Sequence, residues 1–187
     1  MRHRVPSSTS RVSSSKSVST ENRLYKAPRA SSSQSHEIKA VTEAVNPLIA
    51  DAFALYVKTK NFHWHAYGPH FNDYHHMFDD QAGDIFESID IMAERVRKIG
   101  GTTISSIGHI GQLQTIEDDN DDLVPPDEMV KRLAEDNARM AKSVQDAITV
   151  CDKNRDVATS NLLQDILDKT ERRKWFLFET LQETKRG

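Results

Sequence analysis

Apolar residues recur at steps of three and four along four long stretches of this chain, the spacing of amphipathic helices. The first stretch, about residues 35–66, lines up Val41, Val45, Leu48, Ala52, Leu55 and Phe62. The second, from Pro69 to about Lys98, lines up Tyr74, Phe78, Gln81, Ile85, Ile89, Met92, Val96 and Ile99. Pro69 suits a first helical position, and Gly100-Gly101 suits a helix stop. The third opens at Pro125-Pro126-Asp127, runs to about Asp152 and turns Val130, Leu133, Asn137, Met140, Val144, Ala147 and Cys151 inward. The fourth covers about 156–184, with Leu162, Ile166, Thr170, Phe176, Leu177 and Leu181 inward. Proline in a helix interior costs about 3 kcal/mol. At Pro47 the first helix therefore either kinks, the favoured reading, or ends near Val45 and restarts. Residues 102–124 make an unusually long connection, with a short apolar piece at 104–113 and an acidic run, EDDNDDL, read as a solvated link.

The second helix carries a further pattern. With His75 at zero and about 100° per residue, Asp79 falls near 40°, Asp90 near 60° and Glu94 near 100°, whereas the apolar stripe centres near 280°. The four share an off-core face as two pairs, His75/Asp79 and Asp90/Glu94, about 22 Å apart along the axis. One chain cannot close a small metal site from all four. Two copies packed antiparallel across a two-fold axis can, and would make two sites per dimer, with His63 of the preceding helix joining each. Imidazole with several carboxylates suits iron, manganese or zinc. Single i,i+4 pairs of this kind are ordinary surface; two on one off-core stripe beside a histidine-rich turn are less so. His63 and His65 are about 200° apart and cannot share a face.

KNFHWHAYGPHFNDYHHMFDDQ and IDIMAERVRKIGG resemble the Dps family, small ferritins that protect DNA. The likeness runs from about residue 37 to 184. Its pattern is His63-Trp64, a histidine twelve residues on at His75, Asp79 four later, then Asp90-x-x-x-Glu94. The resemblance implies an all-α, ferritin-like four-helix bundle with a short extra helix in the connection between its second and third helices, packing at a two-fold interface. It also implies an iron ferroxidase centre shared between subunits, with His63, His75, Asp79, Asp90 and Glu94 as ligands, and a homododecameric shell. Fe(II) and hydrogen peroxide would be its substrates. His65 is then a neighbour of the site or a surface residue, and His70 and His76 are surface residues. Trp64 reads as a packing residue, although the family places an indole near the iron. Trp175 reads as core or interface. Glu-x-x-His, the usual di-iron motif of such bundles, is absent from the sequence, which fits an intersubunit centre. One departure concerns the family's acidic pore at the start of the fourth helix. Asn161 stands where Asp is frequent, with Asp156 and Asp165 nearby, so cation steering there is weaker.

Composition changes the picture at the N-terminus. Residues 1–35 hold Arg2, Arg4, Arg11, Lys16, Arg23, Lys26 and Arg29 against Glu21 alone, a net +6. The chain's −3 therefore leaves −9 on residues 36–187, the expected bundle domain. The Ser/Arg-rich tail has no apolar periodicity and is expected to be disordered. Spaced cations and hydroxyls can hold DNA phosphates without reading sequence; a transit peptide or a plain spacer are the other readings. No secretory signal core is present, and no apolar run approaches the length of a membrane span. Cys151, the only cysteine, is expected to be a buried inert thiol. The reading that follows is a cytoplasmic, nucleoid-associated ferroxidase and iron store that binds DNA through its tail. The alternative is a nucleoid-binding structural protein with a weak or vestigial metal site.

Overall fold

The computed structural model describes residues 32–184. The tail cations and the disorder expected of that segment lie outside these residues, save that positions 32–35 already belong to a helix. The described residues form five helices and no strand: α1 (Ser32–His65), α2 (Phe71–Lys98), α3 (Ile107–Leu113), α4 (Pro126–Lys153) and α5 (Val157–Thr184). α1 pairs with α2 and α4 with α5, and α1 packs on α4. Contacts of Tyr74 with Asp127 and of Met77 with Thr180 set the start of α2 beside the start of α4 and the end of α5. The order is therefore up, down, down, up, with residues 99–125 crossing over, which is the ferritin-like bundle.

α1 runs through Pro47 without ending, so the restart reading is excluded. By length and by a mean hydropathy of 1.2 over 18 residues, α1 does reach the composition of a membrane-crossing helix, contrary to expectation; half of that window is buried in the bundle. α2 opens at Phe71, two residues after the expected Pro69, because His70 takes the cap position with φ −100° and ψ 19°. It stops as expected. Gly100 sits at φ +95°, its N–H donates to the Arg97 carbonyl at 3.0 Å, and the Gly101 N–H donates to the Val96 carbonyl at 2.9 Å. α4 ends by the same pair of bonds, but with Arg155 at φ +57° in the place a glycine usually fills.

Every inward position expected on α4 is buried. On α5 the expected face is partly wrong. Leu163 and Arg173 are buried, Leu162 is half-buried and Phe176 is 43% exposed. Trp175 is 59% exposed, which removes the core reading and leaves an interface. The acidic link is not simply solvated. Arg132 donates to Asp119 at 2.8 Å and to Asp121 at 2.7 Å. The buried Asp51 carboxylate takes the N–H groups of Thr115 and Ile116 and the Thr115 hydroxyl, fixing the chain after α3. Cys151 is buried, and burial pushes its thiol up to about 11, so it stays protonated and inert.

The middle of the bundle is polar but cationic. Lys58 Nζ donates to Asp136 Oδ2 at 2.6 Å, and Arg173 donates to Asn137 Oδ1 at 3.0 Å and Thr170 Oγ1 at 2.9 Å, all buried. The Asp136 carboxylate is thus already held by an ammonium within the chain.

Asp156 closes the N-terminus of α5 and ties it to α2. It accepts from the Thr159 N–H at 3.0 Å and from Arg95 Nη2 at 2.7 Å, so it is committed within the chain rather than free to line a pore; Asn161 and Asp165 are exposed. Burial alone would raise the Asp156 carboxyl, but the bonds from Thr159 and Arg95 outweigh it and hold the group below its ordinary value of 3.8. A depressed folded value contributes stability above the unfolded value, and that stability is lost as pH falls through the folded value. Asp156→Asn should therefore unfold at lower urea than wild type near neutral pH, and the gap should shrink as pH drops below about 3.8; paired urea titrations across pH check this.

Candidate metal centre

The last turn of α1 and the first turns of α2 are held to each other by their own histidines. His63 Nδ1 lies 2.7 Å from the carbonyl oxygen of His75, and His75 Nδ1 lies 2.9 Å from the carbonyl oxygen of His63. A carbonyl only accepts, so each Nδ1 carries a proton, and in the neutral ring Nε2 then keeps a lone pair. The rings stack with centroids 3.8 Å apart and planes 23° apart. The two rings are thus fixed against each other, with backbone oxygens in the place of the outer partners that metal-binding histidines use.

Asp79 stands one turn along α2 from His75. Its Oδ1 is 3.9 Å from His63 Nε2. The same oxygen accepts from Lys60 Nζ at 2.6 Å. That hydrogen bond holds the Asp79 carboxyl below the usual range against desolvation, and the charge of Lys60 adds to the effect. His63 is buried, His75 half-buried and Asp79 55% exposed, so the donors open outward from the bundle.

The structure brings His63, His75 and Asp79 together, and leaves Asp90 and Glu94 further along α2, about 17 and 23 Å from Asp79 by helical rise. Both are exposed. Glu94 accepts from Lys98 at 2.7 Å, and that bond lowers its carboxyl's pKa. Among the described residues no three His, Cys, Asp or Glu side chains close a metal site within one chain. The donor chemistry fits iron: two neutral imidazole nitrogens and a carboxylate on one side, two further carboxylates on the other.

Two readings need correction or refinement. Trp64 does not pack into its own chain's core: it is 63% exposed, and its ring faces Lys60 Nζ at 5.9 Å from the centroid. His65 is exposed and bonds the Asn61 carbonyl, and His70 and His76 are exposed. Lys60 was invisible to the helical wheel of α2 because it belongs to α1. Its place three residues before His63, on a neighbouring part of the same helical face, is the signal that could have found it.

Comparison with known proteins places these features. The model of the ferritin-like domain family matches residues 42–187. A DNA protection during starvation protein of Brevibacillus brevis is 31% identical over 137 residues, covering 73% of this chain and 91% of that protein. A low temperature-induced protein of Nostoc is 31% identical over 140 residues, covering 74% of this chain and 78% of that protein. The crystal structure of a Dps protein from Bacillus brevis superposes with a TM-score of 0.74 at 29% identity, covering 82% of this chain and 99% of that one.

Proposed function

The chain belongs to the Dps branch of the ferritin-like family, and on that premise we propose that it is a ferroxidase and iron store that protects DNA in the bacterial cytoplasm, at the nucleoid. The observation that carries the reading is the reciprocal bonding of His63 and His75, which turns both Nδ1 atoms to the backbone and sets His63 Nε2 3.9 Å from Asp79. His63, His75 and Asp79 of one subunit, with Asp90 and Glu94 of a two-fold partner, would hold Fe(II) between subunits. Two Fe(II) ions give one electron each, and hydrogen peroxide takes the two electrons with two protons and leaves as two waters. The electrons travel in pairs, so little hydroxyl radical forms near DNA. The chain's contribution is ligands, orientation and an outward-opening position that peroxide can reach. The ferric product collects inside a homododecameric shell, and the basic tail holds DNA.

Anaerobic Fe(II) titration followed by peroxide tests this. The expected result is saturable binding, fast oxidation with about two Fe(II) consumed per peroxide, and an assembly whose mass and iron content both report a loaded shell. A stable monomer, or Fe(II) oxidised no faster than in buffer, overturns it.

A further inference from the structure

Asp79 is the one proposed ligand already engaged by a cation from another helix. Lys60 reaches from α1 and sets its ammonium 2.6 Å from Asp79 Oδ1, the oxygen that faces His63 Nε2 at 3.9 Å. The Lys60 side chain is only 18% exposed, so solvent and salt screen this pair less than an open surface pair. An ammonium has three donors and no lone pair. It cannot join a metal's coordination shell; it can only share Asp79 or give it up. A second resting place is within reach one turn further along α1. The Trp64 ring lies 5.9 Å from the same Nζ, and an indole face attracts a cation.

We propose that Lys60 is a stand-in cation for the metal site: it holds Asp79 in place before metal arrives, competes with the metal for that carboxylate, and withdraws onto the face of Trp64 when the metal takes it. Lys60 is a positioning residue, not a ligand. The proposal rests on the reading of His63, His75 and Asp79 as the metal-binding half-site. Its consequence is an affinity set below what the donors alone would give, which suits a centre that must pass iron on rather than keep it. A unit charge remaining about 6 Å from a dication, with water-like screening at this open site, is worth on the order of tenfold in binding.

The test is Co(II) binding to the full-length assembled protein without oxidant, read from the visible absorption of the bound ion. Wild type, Lys60→Met and Lys60→Arg are compared, each with and without His75→Ala. Lys60→Met should bind Co(II) about tenfold more tightly than wild type, and Lys60→Arg, which keeps the charge, should stay within about threefold of wild type. In a Trp175→Phe background, Zn(II) should shift the Trp64 emission when Lys60 is present, and the shift should be lost in Lys60→Met. If Lys60→Met binds Co(II) no more tightly than wild type while His75→Ala loses binding, the stand-in role is overturned and the ligand reading stands. If His75→Ala binds as well as wild type, the ligand reading itself falls.

Discussion

Two variants that are each inert should restore one another when mixed. His75→Ala removes a nitrogen from one half of the proposed site, and Asp90→Ala removes an oxygen from the other half. Each should slow Fe(II) oxidation by roughly 100-fold or more, since even partners one shell beyond a metal cost 10–100-fold. In the proposed site the halves lie on different subunits, because the two carboxylates near the end of α2 are too far from Asp79 to meet it within one chain. In a shell assembled from equal amounts of the two variants, a site is whole when its histidine half comes from the Asp90→Ala chain and its carboxylate half from the His75→Ala chain. Random mixing makes that combination about one site in four, so activity should return to about a quarter of wild type. Stopped-flow oxidation of co-refolded shells, with mixing verified by mass, measures it. Mixed shells as slow as either parent would rule out the shared site.

Removing the basic tail should abolish DNA binding and leave iron oxidation untouched. The tail carries +6 and the rest of the chain −9, so the body should repel duplex DNA and any binding should come from the basic tail. One such arm is a weak binder. Many arms on one shell act together, and effective concentration raises avidity by about 10²–10⁴ where geometry allows. Phosphate contacts release counterions, so binding should weaken steeply between about 50 and 200 mM salt and be indifferent to sequence. Deleting residues 1–31 leaves α1 whole, since that helix starts at Ser32. Gel-shift series on full-length and truncated shells across that salt range check the claim. Retardation by the truncated shell would move the DNA site elsewhere, and failure of the full-length shell at the lowest salt would make the tail a transit peptide or spacer.

The bundle was legible in the chain because its helices announce themselves by apolar spacing, and α4 shows why. Its inward face is nearly all aliphatic, so counting apolar residues finds it. The same rule found Ile166, Thr170 and Leu177 on α5 but missed the buried Arg173 and turned the exposed Phe176 inward. There burial follows hydrogen-bond partners across the bundle, which no single helix reveals. Asp51 is the same lesson: a carboxylate on an apolar helix is buried because backbone N–H groups 64 and 65 residues away need it. At the site, the residue types and spacing of His75, Asp79, Asp90 and Glu94 could be read from the wheel, together with their separation along the axis. The bonds that orient the rings could not. Their acceptors are peptide oxygens, which every residue has, and only the path of the turn brings them to the right place.

That exchange between His63 and His75 has a mechanical meaning. Each ring is anchored to the other's backbone, so the two helix ends behave as posts clamped crosswise, and neither ring can swing without dragging a peptide plane with it. The span between the posts, from Tyr67 to His70, is exposed throughout, yet Gly68 at φ +93° and the bond from the Phe71 N–H to its carbonyl fix the path it takes. A side chain at Gly68 would strain that path, so the hinge pin of the clamp is a residue with no side chain at all.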